Sequence, residues 1–461
     1  MKIKFCGAAG GVTGSQHMLT VNNKHILLDC GLFQGKRQEA MERNTHFDYD
    51  PHDIEAVVLS HAHIDHSGNI PYLIKRGFKG VVYCTEATKS LCDVMLLDSA
   101  HIQESDAAYY SRHCAEAIKP IQPLYTVADA KCALQCFKGY PYHKTFEVSE
   151  GVKVTFFDAG HVLGSAFVFL EIQEGKQKHH LFFTGDMGRR NLPILKDPET
   201  IREADILITE GTYGNREHDP IEEGMPALAH AINKTARRGG KVIIPVFALE
   251  RTQEIIYGLH RLRETNYIVD IPIFIDSPLA SSITNIFAQY KECYDEDLQS
   301  AFRGRSNPFK FKNLKFTATA DESKQLNFFQ GPCIIMAASG MCEAGRIRHH
   351  LKNNIENPAN TIVIVGYMAE DTLGRRLVER MPVVKIFDEM YKVRSEIVVL
   401  NSFSAHADMN ELDEHIGRTK GIKDVFVVHS EASQAEPFAE RLKKITKANV
   451  YIPQLFEEYE I

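Results

Sequence analysis

The chain lacks most of the features that would take it out of the ordinary globular class. None of its ten cysteines stands in a CxxC pair. Scattered through 461 residues without regular spacing, they read as reduced core thiols and not as a disulfide framework. Cys132 and Cys136 in "CALQC" have i, i+4 spacing, but no second pair accompanies them, so the metal signal there is weak. No run approaches the roughly 18 consecutive apolar residues of a membrane span. The opening "MKIKFCGAAGG" has no apolar stretch of signal-peptide length, and a cytoplasmic location without a membrane partner is the resulting expectation. An excess of positive charge is missing too. Lys and Arg number 53 against 60 Asp and Glu, for a net charge of −7. That excludes a broadly basic nucleic-acid coat while leaving a local basic groove open, because the total says nothing about distribution. Internal repeats and low-complexity tracts are also absent.

What is present is 44% hydrophobic and 25% charged, enough for about two to three domains. The first third is dense in short strand signals separated by turns: "KIKFCG", "HMLTV", "KHILLDCG", "AVVLS" and "GVVYC". A long helical stretch starts near Thr85 or Glu86. Strands resume with "VKVTFFDAGH", "AFVFLEI", "HHLFFTGD" and "ADILITEGTYG". From about residue 220, long helices alternate with single buried strands, the pattern of a parallel α/β domain. "SEIVVLNSFSAHAD" and "DVFVVHS" read as a return to the first domain. The expected organisation is therefore residues 1–209, an α/β insert over 210–394, and a return segment over 395–461. "GAAGGVTGS" is glycine-rich after a strand, but it precedes another strand and fits neither GxGxxG nor GxxxxGK[ST]. Tight turns explain it better than phosphate binding.

The chemistry concentrates in "SHAHIDHSG". His61 and His63 are two apart, so in extended backbone they present two imidazoles to one side. The following turn aims Asp65 and His66 from another direction, and two geometries within six residues suggest two adjacent ions. Further ligands occupy the same strand-end context: His161 in "DAGHVLGS", Asp186 in "FTGDMGR" and His429 in "VVHSE". His61, His63 and His161 would hold one ion and Asp65, His66 and His429 the other. Asp186, with two carboxylate oxygens, would bridge them.

"HAHIDHSG" resembles the signature of the metallo-β-lactamase fold. "LLDCG", "GHVLGS" and "TGDMGR" match that fold's other motifs in order, and "TEGTYG", "SFSAHAD" and "VVHSE" resemble the β-CASP ribonuclease branch. The resemblance implies an αββα sandwich with an inserted parallel α/β β-CASP domain. It also implies a metal-dependent ribonuclease that uses a metal-bridging hydroxide and leaves a 5′-phosphate and a 3′-hydroxyl. The expected cofactors are two Zn²⁺ ions, although imidazole and carboxylate also accept Mn²⁺ or Fe²⁺. Asp29 matches the residue that supports the ligands from behind. Glu210 matches the acidic motif that opens the insert, and His406 the histidine beside the scissile group. We therefore expect His406 to be the general acid, oriented by Glu210.

Helix starts and arginines suit phosphate, which makes Arg346, Arg251, Arg375 and Ser404 candidate RNA contacts. A homodimer is expected only by analogy. Ser430 and Asp371 depart from the glycines common at their positions. The competing readings are a DNA nuclease, a thioester or lactam hydrolase on the same fold, and a noncatalytic scaffold. The filled ligand positions count against the scaffold, and the long insert counts against the small-molecule hydrolase.

Overall fold

A computed structural model describes residues 1–35, 37–113, 121–303, 307–366, 368 and 372–461. Asp371 lies outside the described residues. The chain divides into two compact units. The first comprises Met1–Arg190, Lys196–Glu217 and His406–Ile461, and the second Asn191–Leu195 and His218–Ala405.

The first unit is built on two seven-stranded sheets. One runs, in spatial order, Glu458–Glu460, Lys2–Phe5, His17–Val21, Lys24–Leu28, Ile54–Val58, Val81–Thr85 and Phe137–Tyr140. The other runs Asn449–Tyr451, Asp424–Val428, Ile206–Glu210, Gln177–Phe183, Ala166–Glu174, Val152–Asp158 and Phe146–Ser149. Strand periodicity explains how they stack. In Asp424–Val428, Phe426 and Val428 enter the core between the sheets, while Val425 and Val427 enter a second core on the outer face. Burial on both faces is why the strand reads as an unbroken apolar run. The outer core is closed by the helices Met409–Gly417 and Ala432–Thr446, through Leu412, Ile416, Phe438 and Leu442. Helices containing Tyr72, Ala100 and Ala130 form a separate cluster with Tyr125. The result is the expected αββα sandwich.

The second unit carries a six-stranded sheet with every pairing parallel, in the order Leu314–Phe316, Ile273–Ile275, Ile334–Ala337, Val242–Pro245, Thr361–Ile364 and Glu396–Val399. An antiparallel hairpin, Val383–Ile386 with Glu389–Lys392, accompanies it.

The division between units falls later than expected at both ends. After the strand Ile206–Glu210, the chain stays on the sandwich. Arg441 donates to the Gly214 carbonyl, and a side chain on Gly214 would meet Phe438. Glu396–Val399, read from sequence as the return to the first domain, is instead the edge strand of the parallel sheet, in register with Thr361–Ile364. Short apolar strands look alike in either sheet; hydrogen-bond pairing, not composition, assigns them.

Candidate metal centre

The site is assembled on one rim of the sandwich, from loops that follow strand ends. Val152–Asp158, Gln177–Phe183, Ile206–Glu210 and Asp424–Val428 run in one direction, since each pairs in parallel or is related through the antiparallel Ala166–Glu174. The residues after them, His161, Asp186 and His429, and Glu210 at a strand end, therefore reach the same edge. His61 and His63 follow Ile54–Val58, and the helical turn Ile64–Ser67 carries Asp65 and His66. Every one of these residues belongs to the first unit. The turn sits tightly on the loop that follows Lys24–Leu28. A side chain on Gly31 would come within 1.7 Å of the Asp65 carbonyl oxygen, so only glycine fits there.

His61, His63, His161 and Asp186 each offer one ligand atom to a common point. His61 Nε2 lies 3.1 Å from His63 Nδ1, and His161 Nε2 lies 3.3 Å from the same atom. Asp186 Oδ2 is 3.5 Å from both His61 Nε2 and His161 Nε2. A tetrahedral zinc with bonds of about 2.0–2.1 Å has ligand–ligand edges of about 3.3 Å, so the spacing suits one ion. Asp65, His66 and His429 form a second group. Asp65 Oδ2 lies 3.6 Å from His429 Nε2, and Asp186 Oδ1 lies 3.3 Å from His66 Nε2. Asp186 thus turns one oxygen to each group.

The hydrogen bonds behind the ligands decide which ring atoms face inward. Ser60 Oγ donates to Asp29 Oδ2 at 3.0 Å, so it accepts from His61 Nδ1 at 3.0 Å and leaves Nε2 bare. Thr212 Oγ1 donates to the His429 carbonyl, so it accepts from His429 Nδ1 at 3.1 Å. His66 Nδ1 donates to Asp29 Oδ2 at 2.7 Å. Fixing one ring nitrogen this way presents the other to a metal. Among the described residues, His66 Nε2, His429 Nε2 and Asp186 Oδ1 are buried without a hydrogen-bond partner. Orphaned buried polar atoms are costly, and two imidazole nitrogens and a carboxylate oxygen left so within the candidate ligand groups are what divalent cations would satisfy. The donor set fits a metal centre.

Electrostatics agree for the first group. Burial is the largest influence on His61 and His63; it lowers the first well below the usual imidazole range and the second to about 4, keeping both neutral as ligands must be. Burial works against the charged form of Asp186, yet the imidazoles of His429, His66 and His406 hold it well below the usual carboxylate range. Burial likewise opposes charge on His66, but Asp186 and Asp29 on either side raise it well above its ordinary value.

Asp29 is fully buried and accepts from the Ser60 amide, Ser60 Oγ, Ser15 Oγ and His66 Nδ1. Asp29 and His429 both adopt positive φ, +60° and +47°. Each is held there by a backbone bond, Asp29 N–H to the Val58 carbonyl and His429 N–H to the Ala8 carbonyl. The glycine-rich stretch read as turns therefore buttresses a ligand. His406 Nδ1 lies 3.1 Å from Glu210 Oε2, and Glu210 Oε1 accepts from the Met187 amide at 2.5 Å. His406 is 22% exposed and Glu210 0%. Burial disfavours the imidazolium, but Glu210 and then Asp186 outweigh it and push His406 up to about 9. Ser430, the departure beside His429, donates to the Gly211 carbonyl at 2.7 Å and pins the strand end.

The four candidate phosphate contacts belong to the second unit. Arg346 is tied to the Asp276 carboxylate at 2.6 Å and to the Thr317 and Ala318 carbonyls. Arg251 is 6% exposed and paired with Glu254. Arg375 pairs with Glu379 at 2.7 Å on the surface, and Ser404 is buried. Ser15, Ser60 and Thr212 went unmarked in the sequence reading. Ser60 directly before "HAHIDH" and Thr212 inside "TEGTYG" were the available signals.

A two-sheet sandwich with imidazoles and carboxylates gathered on one rim, carrying a parallel α/β insert, is a metallohydrolase scaffold of the metallo-β-lactamase type. Family comparisons agree. Residues 9–238 match the metallo-beta-lactamase superfamily, 252–377 the Beta-Casp domain, and 390–453 the Zn-dependent metallo-hydrolase RNA specificity domain. Ribonuclease TTHA0252 of Thermus thermophilus is 36% identical over 94% of this chain and 93% of its own. Endoribonuclease ysh1 of Schizosaccharomyces pombe is 30% identical over 92% of this chain and 53% of its own. A solved protein of unknown function from Enterococcus faecalis shares the fold, with a TM-score of 0.56, 14% identity and 99% of both chains covered. The chain belongs to the β-CASP ribonuclease family of the metallo-β-lactamase fold.

Proposed function

We propose that the chain is a metal-dependent ribonuclease that hydrolyses RNA phosphodiester bonds and leaves a 5′-phosphate and a 3′-hydroxyl. The observation that carries this is the convergence of two ligand groups on the two oxygens of Asp186, beside His406 and its buried partner Glu210. Support for RNA as substrate comes from the similarity to a ribonuclease and an endoribonuclease over nearly the whole chain. His61, His63 and His161 would hold one ion, Asp65, His66 and His429 the other, with Asp186 between. Two bound Zn²⁺, or Mn²⁺ or Fe²⁺ on the same donors, would supply a hydroxide near neutral pH and offset charge on the phosphoryl group.

The protein side chains do the rest. Asp29 keeps a proton on His66 Nδ1 and so orients its ring. Glu210, locked by the Met187 amide, takes the Nδ1 proton of His406 as a hydrogen bond and stabilises the imidazolium. His406 Nε2 then delivers a proton to the departing 3′-oxygen. Backbone pairing of His406 with Gly188 and of the Ala407 amide with the Met187 carbonyl fixes the ring beside the centre. Of the candidate phosphate contacts, Arg375 pairs with the exposed carboxylate of Glu379, and Arg346 and Arg251 with the buried carboxylates of Asp276 and Glu254.

The test is cleavage of labelled RNA, single-stranded DNA and a thioester by the metal-loaded protein and by Asp65→Ala, with end-group analysis of products. RNA cut to 5′-phosphorylated products, lost in the variant, is expected. Cleavage of DNA or thioester alone, no metal-dependent RNA cleavage, or activity that survives Asp65→Ala would overturn the reading.

A further inference from the structure

The second unit holds a cavity of about 140 Å³ that the ribonuclease chemistry does not use, lined by Arg348, Arg376, Lys385, Glu343, Asp388 and Phe387 among others. Three cations face two carboxylates, so its walls carry a net positive charge. The carboxylates are partly committed. Glu343 Oε1 accepts from the Leu373 amide at 2.5 Å, at the start of the helix Leu373–Val378, and Asp388 pairs with Lys385 at 2.8 Å. That pair is exposed on both sides, and such surface pairs contribute at most about 1 kcal/mol, so it opens readily for a stronger partner. Arg348 has no carboxylate within ion-pair distance among the described residues. Its guanidinium lies over the Phe387 ring at 4.2 Å and donates only a long bond, 3.4 Å, to the Glu343 carbonyl. A guanidinium laid on an aromatic face is pre-positioned, with its edge donors left for a planar or tetrahedral oxyanion.

We propose that this cavity is a phosphate-group site, filled through Arg348 and Lys385. The cavity is large enough for a phosphate group. The group can come from the RNA chain, a source that rests on the ribonuclease reading, or from a free phosphate monoester or orthophosphate, which does not.

The experiment measures orthophosphate binding to the metal-loaded full chain by titration calorimetry. Binding of a 5′-labelled oligoribonucleotide is measured with chelator present, so that no RNA is cut. Wild type is compared with Arg348→Ala/Lys385→Ala, with Lys385→Gln, and with Lys324→Ala as a charge control on the surface of the same unit. Lys385→Gln changes an exposed side chain only, so it carries the test if replacing Arg348 disturbs packing on Phe387. The double variant is expected to lose at least about tenfold in affinity and Lys385→Gln a smaller part, with Lys324→Ala unchanged. Loss in RNA binding assigns the site to a phosphate of the chain, and loss confined to orthophosphate assigns it to the free anion. Both variants binding orthophosphate and RNA as wild type does, or Lys324→Ala losing as much, would overturn the proposal. Neither arm depends on cleavage, so a failed nuclease assay leaves this result readable.

Discussion

Asp29 shows how much of a candidate metal centre rests on a residue outside the candidate ligand groups. It is fully buried, accepts four hydrogen bonds, and orients His66 by taking its Nδ1 proton. Asp29→Asn replaces one acceptor oxygen with an NH₂ that confronts donors. The His66 ring then loses its orientation, while His61, His63 and His161 keep theirs apart from the Ser60 link. Metal titration should show the ion of the Asp65, His66 and His429 group bound about 10–100-fold less tightly. His406 offers a second test. Its raised pKa comes, burial aside, first from Glu210; bound cations oppose the Asp186 share but leave the Glu210 share. Removing that charge in Glu210→Gln lowers the pKa, so the alkaline limb of the pH–rate profile should move to lower pH. An unmoved limb would show that His406 is not the proton donor. The candidate ligands were legible because imidazoles and carboxylates directly after apolar strands have few other uses. Ser15, Ser60 and Thr212 were not. Hydroxyls in loops are common, and which carboxylate or ring each serves is decided by residues distant in sequence.

At the scale of the element, the helix Met409–Gly417 carries a pH dependence of its own. His415 lies against the rings of Phe167 and Phe182, and its Nε2 has no hydrogen-bond partner among the described residues. Burial first, then the cations Arg190 and Arg418, lower its pKa from 6.5 to about 4. The folded state therefore resists the proton that the unfolded state accepts. The stability from the neutral ring is fully present above pH 6.5, is lost as the pH falls from there toward about 4, and then levels off. At about pH 4.5 the loss should be about 2–3 kcal/mol. Denaturant midpoints at neutral and acid pH should show wild type falling more than His415→Gln by that amount; parallel falls would refute it. The sequence shows a helix ahead of "DVFVVHS", and the structure has it at Met409–Gly417; its packing on the outer core was not legible. "SEIVVLNSFSAHAD" was taken as one return strand, whereas its first half pairs in the parallel sheet and its second half carries His406. The strands buried on both faces were legible as apolar runs, but their sheet membership was not, because partner choice is a long-range property. The turn bearing Asp65 was legible, but its need for Gly31 beneath it was not. Gly31→Ala should push Ile64–Ser67 outward and reduce bound metal, a loss elemental analysis of the folded variant would read.

Across the whole molecule, the candidate ligands share one property: all belong to the sandwich unit, but they come from both ends of the chain. His61 to Asp186 precede the insert and His429 follows it. The fold alone brings these segments together, through the parallel pairing of Ile206–Glu210 with Asp424–Val428. A bound ion adds a cross-link between them that the unfolded chain lacks. Binding to the folded state alone stabilises by about 2.7 kcal/mol when free metal is 100-fold above its dissociation constant. That stabilisation belongs to one unit. The second unit supplies none of the candidate metal ligands and has its own parallel sheet and apolar core around Ile243, Ile335, Leu351 and Ile364. Two unfolding transitions are therefore expected in calorimetry of the intact chain. Chelation should lower the sandwich transition and leave that of the insert in place, and His429→Ala should reproduce part of the shift. If chelator moved both transitions together, or neither, the ions would not be held as the ligand geometry implies. A cross-link closed by His429 also requires the chain after the insert to be in place before the second ion binds. Metal uptake during refolding should then follow docking of Asp424–Val428 onto the sheet and not precede it.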